Sequence, residues 1–135
     1  MKAEAQRWPA VLFLVYAIGL IVLSACKSAE IGLTQIHGLE AWLGGDKSMH
    51  FTLSAILAVL ACFASERVLG LAPITRTIGV CCVLAAALSL DEGLQYVLAS
   101  RRFELLDLAF GSLGLLTGAL GYLSVRFVWS RTKPA

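Results

Sequence analysis

The stretch PAVLFLVYAIGLIVLSAC, residues 9–26, runs for eighteen residues without a charge. As a helix rising about 1.5 Å per residue it would be about 27 Å long, close to the ~30 Å hydrocarbon core of a bilayer. Working outward, three further apolar runs of similar length follow at 46–65, 74–95 and 104–125. Unlike the first, each reaches about 20 residues only by including charged positions near its ends. The pattern predicts an all-α integral membrane protein, an up-and-down bundle of four transmembrane helices forming a single domain over residues 1–135.

Composition agrees with that reading. Of 135 residues, 59% are apolar and 15% charged. A chain this short has too much surface for its volume to bury so much apolar side chain in water. Cys26, Cys62, Cys81 and Cys82 lie in or beside apolar runs and never at CxxC spacing, so they read as small hydrophobes, with no disulfide framework and no metal site. No cofactor is expected. A net charge of +2 with no basic run excludes nucleic acid as a partner.

Basic residues set the expected orientation, because Lys and Arg are retained on the cytoplasmic side. With both termini inside, seven Lys and Arg face two acids there, and four face seven acids outside. Trp8 and Trp129 suit an inner aromatic belt, Trp42 and Tyr96 an outer one. Leu23-Ser24-Ala25-Cys26 also has the form of a lipoprotein cleavage box, but cleavage there would leave every later side assignment unchanged.

The expected outer ends hold an ionisable cluster. Asp46, Lys47 and His50 open the second span; Asp91, Glu92 and Gln95 close the third; Arg101, Glu104 and Asp107 lead into the fourth. Asp46 and His50 are i, i+4, while Glu92 with Gln95 and Glu104 with Asp107 are i, i+3, so each pair shares a helix face. An unpartnered Asp, Lys or Arg at a membrane helix centre costs about 2.5–3.5 kcal/mol, so these groups need partners or water. Gly111, Gly114, Gly118 and Gly121 then lay a small-residue stripe along the fourth span. It is the expected packing face of that helix, either within the bundle or between copies of the chain. Glu30, His37 and Glu40 in the first outer loop are expected to be solvated, with Ile36, Leu39, Trp42 and Leu43 forming one face of a short interfacial helix.

The set formed by Asp46-Lys47 with His50-Phe51, Glu92 with Gln95, Arg101 with Asp107 and the spaced glycines resembles the VanZ-like family of small bacterial membrane proteins, over most of 46–122. One position departs: the family usually carries Asn four residues after the Asp, where Gly111 stands here. The resemblance implies a role at the bacterial cell envelope in the cytoplasmic membrane, its founding member being associated with resistance to the glycopeptide teicoplanin.

Three functional expectations follow. In the first, Asp46, Lys47, His50, Glu92, Gln95, Arg101 and Asp107 bind an amphiphilic envelope lipid, lipid-linked sugar or lipoglycopeptide, with Arg101 on a phosphate or carboxylate. In the second, a lipid-processing enzyme uses His50 as acid or base and Glu92 or Asp107 as a second carboxyl group. A divalent cation held by His50, Glu92 and Asp107 is an alternative there to pairing of the carboxylates with Arg101 and Lys47. In the third, the charges form a paired network that only fixes helix register. A transport path ranks last, because beyond the cluster the spans read as almost purely apolar.

Overall fold

A computed structural model describes residues 8–98 and 104–132. Among them are five helices and no strand: α1 (Trp8–Ser28), α2 (Leu33–Trp42), α3 (Asp46–Ser65), α4 (Pro73–Leu98) and α5 (Leu105–Thr132). The four longer helices are long and apolar enough to cross a membrane. Their ends fall close to the sequence expectation except at the end of α5, expected near Val125 and found at Thr132. Arg126 and Arg131 read as flanking charges, but the helix absorbs them. The Arg131 guanidinium stacks 4.3 Å from the Phe127 ring, and a cation in the last turn complements the helix dipole.

Local chemistry places the turns. Glu30 and Gly32 adopt left-handed φ of 58° and 68° between α1 and α2. Gly44 and Gly45, at φ of 90° and 104°, then reverse the chain into α3, a conformation that side chains with a Cβ resist. α4 opens on Pro73, whose missing N–H costs nothing at a first helical position. The short helix α2 falls where the Ile36, Leu39 and Trp42 spacing placed it; Ile36 is buried and Trp42 is 81% exposed.

α3 is the hub. It packs against α1, α4 and, most extensively, α5. The contact with α5 is backbone to backbone: a Cβ built on Gly114 would lie 2.2 Å from the carbonyl oxygen of Phe51, and one on Gly118 would lie 2.2 Å from that of Ala55. Gly111 abuts the Leu88 side chain of α4. Gly121 does not belong to this packing face, since it is exposed with nothing within 4 Å of a built Cβ. The seam itself is lined by small side chains, Ala58, Ala61, Cys62 and Ala119, with Leu115 and Tyr122. α1 contributes no buried residue and presents Val11, Leu12, Val15 and Ile18 outward.

Contacts at the helix ends show the long helices running alternately up and down. The end of α1, the start of α3, the end of α4 and the start of α5 meet at one end of the bundle. The end of α3, the start of α4 and the last turns of α5 meet at the other.

Candidate functional site

At the first end, the opening turn of α3 presents Asp46, Lys47 and His50, and the opening turn of α5 presents Asp107. The Lys47 ammonium donates to Asp107 at 2.6 Å and to Glu104, and lies 3.8 Å from Asp46. Asp107 is 3% exposed. His50 Nε2 lies 3.8 Å from both Asp46 and Asp107, beyond hydrogen-bond reach of either.

Lys27, at the end of α1, sits 2.6 Å from both Glu40 of α2 and Asp46 of α3, and so ties three helices together. Glu40 is therefore not solvated as its loop position suggested; its side chain is 14% exposed. Neither residue was among the expected site residues. Lys27 closes a helix one turn after Ser24, a weak signal, whereas nothing in the sequence shows that α2 folds Glu40 back onto α1.

Asp91 belongs to the expected ionisable cluster but not to the expected ligand-binding set. It accepts hydrogen bonds from Ser24 at 2.8 Å and from Gln95 Nε2 at 2.7 Å, and Gln95 also reaches Ser24 at 3.2 Å. Asp91 and Gln95 form an i, i+4 pair on α4. Glu92, one residue on and so about 100° round the helix, is buried at 4% exposure. Arg101, the expected anion-binding residue, lies outside the described residues.

A groove starts at this end and runs along the bundle. Its polar mouth, a cavity of about 100 Å³, is lined by Ser24, Lys27, His50, Asp91 and Gln95. An apolar cavity of about 300 Å³ continues from it between α1 and α4 over α3, sharing Leu20, Ser24, Ser54, Leu88 and Asp91 with the mouth. Phe13 and Leu84 carry the line into a third cavity of about 400 Å³, lined also by Ala61, Val80 and Val83. The floor is α3, and the walls are the facing sides of α1 and α4, which touch each other little.

The opposite end corrects the expectation of an almost purely apolar remainder. Arg76, 5% exposed, donates to the Tyr122 hydroxyl; that hydroxyl donates to Glu66 at 2.7 Å, and Arg126 Nε lies 2.9 Å from Glu66. Phe63 packs edge-on against Tyr122, with ring centroids 4.9 Å apart. Arg76 is one of the seven Lys and Arg counted toward the inner side, and its guanidinium is buried here. Between the two polar ends the seam remains apolar.

Comparison with protein-family models, with functionally characterised proteins and with solved structures finds no match for this chain.

Proposed function

We propose that the chain is an integral protein of the bacterial cytoplasmic membrane, with both termini inside, that binds an amphiphile from the cell envelope in the groove between α1 and α4. One observation carries the reading: a polar mouth built on Asp91, Gln95 and Ser24 opens directly into an apolar channel along the bundle. A head group with hydrogen-bond donors complements the mouth, because Asp91 is held there by two uncharged side chains. An acyl chain complements the rest, since ligand sites are mostly apolar with a few placed polar groups. The VanZ-like resemblance supports the envelope role, and the four long apolar helices support the membrane location.

The groove differs from the pocket that the sequence suggested. Lys47 is engaged by carboxylates, and Lys27, which lines the mouth, is held by Glu40 and Asp46, so within the described residues the head-group contacts fall first to Asp91, Gln95 and Ser24.

Native mass spectrometry of the protein extracted from its own membrane tests the proposal. Wild type is expected to retain one amphiphile per chain. Ala87→Trp, which fills the groove from an exposed position on α4, should lose it at an unchanged melting temperature. Asp91→Asn should change which head groups are retained. Identical spectra for all three proteins would remove the reading in favour of a charge network that only sets helix register.

A further inference from the structure

Asp46 and His50, one turn apart on α3, meet Asp107 of α5 as three donors of metal-ligand type. One donor atom from each can be chosen so that all three lie within 4.8 Å of one another. Three points that close share a centre no more than about 2.8 Å from any of them. The 3.8 Å separations from His50 Nε2 keep that centre at least about 1.9 Å away. Bonds from divalent ions to imidazole nitrogen and carboxylate oxygen span about 2.0–2.6 Å, inside this interval.

A second observation points to a cation. Asp107 is 97% buried by its 3% exposure, and its Oδ1 takes the Lys47 ammonium at 2.6 Å. Its Oδ2 faces His50 Nε2 at 3.8 Å, beyond hydrogen-bond reach. Burying a carboxylate costs stability to the extent that charge of opposite sign fails to offset it. Among the described residues, the four carboxylates of Glu40, Asp46, Glu104 and Asp107 share two lysines, Lys27 and Lys47.

We infer that Asp46, His50 and Asp107 form a binding site for a divalent transition-metal ion of the Zn²⁺ or Mn²⁺ class. One imidazole with two carboxylates suits these ions better than Mg²⁺ or Ca²⁺, which take oxygen alone. Three protein ligands leave further positions for water or a ligand in the cavity that His50 lines. Glu92 has no part in this set, unlike the combination of His50, Glu92 and Asp107 that spacing suggested. Two cations compete with the metal: Lys27, 2.6 Å from Asp46, and Lys47. Lys47 lies 2.6 Å from Asp107 and 3.8 Å from Asp46, and on metal binding it keeps Glu104, at the more exposed edge of the cluster.

The test titrates the full-length, chelator-stripped protein in detergent with Zn²⁺ against a chromophoric competitor, with Co²⁺ absorption as a check on coordination. One ion per chain is expected. Affinity should fall by at least about 100-fold in His50→Gln and Asp46→Asn, at or beyond the loss that removing a supporting partner causes. It should rise in Lys47→Met. Absence of stoichiometric binding by wild type, or equal affinity in wild type and the two ligand variants, overturns the inference. Should the ligand variants fail to fold without metal, Lys47→Met decides: unchanged or weaker binding there also overturns it. Amphiphile retention by the stripped protein is scored separately, so the groove and the metal site stand or fall independently.

Discussion

Gly114 and Gly118 leave no space for a methyl group, because the nearest atoms are carbonyl oxygens of α3 backbone rather than movable side chains. Gly114→Ala should force α5 off α3 and cost about 1–3 kcal/mol, the usual range for overpacking. Gly121→Ala, on the same helix but in the open, should be neutral or slightly stabilising through helix propensity. Thermal unfolding in a single detergent separates the two, and equal losses would contradict the seam. At the other end, Tyr122→Phe removes a hydroxyl that both accepts from Arg76 and donates to Glu66. Leaving a buried guanidinium short of an acceptor should cost about 1–3 kcal/mol in the same assay. That tyrosine was invisible in the sequence, where it reads as one more aromatic in an apolar run. The aspartate that faces the groove was legible as a charge at the end of α4, but choosing between Asp91 and Glu92 needs the rotation of the helix, which spacing alone leaves open.

Among the elements, α1 is held differently from the rest. It buries no residue, so its place depends on contacts along one side: Tyr16 donating to the Leu53 carbonyl at 3.1 Å, Ser24 on Asp91, and Lys27 between Glu40 and Asp46. Lys27→Met leaves two carboxylates facing each other with no cation between them. Losing about 1–2 kcal/mol of local stability should raise opening of the α1 end by roughly 5–30-fold. Maleimide labelling of the neighbouring Cys26 reads this out, and an unchanged rate would show that α1 is anchored elsewhere. The spans themselves were legible because charges punctuate apolar runs of bilayer length. The way α1 docks was not, since an outward-facing apolar helix carries no periodic stripe to mark its inner side. Nor was the role of α2, because a ten-residue amphipathic segment looks alike whether it lies free at an interface or returns an acid to its neighbour.

For the whole molecule, charge is distributed unevenly between the two ends. Acids gather where α3 and α5 begin, while Arg76 and Arg126 share the single carboxylate of Glu66 at the other end. With basic ends retained in the cytoplasm, the proposed orientation has both termini inside. A C-terminal green fluorescent protein fusion should fluoresce, and an alkaline phosphatase fusion at the same point should be inactive. The reverse pair of results would invert the molecule and turn the groove mouth to the cytoplasm.

The loose seam between α1 and α4 has a consequence for how any ligand arrives. Ile21 and Ala87, on its rim, are exposed, so the channel is open along the side of the bundle, which in the proposed setting faces lipid. An amphiphile would slide in by two-dimensional diffusion within its own leaflet. Occupancy would therefore follow the mole fraction of that amphiphile among the surrounding lipids, and diluting the leaflet with inert lipid at constant bulk concentration should empty the groove.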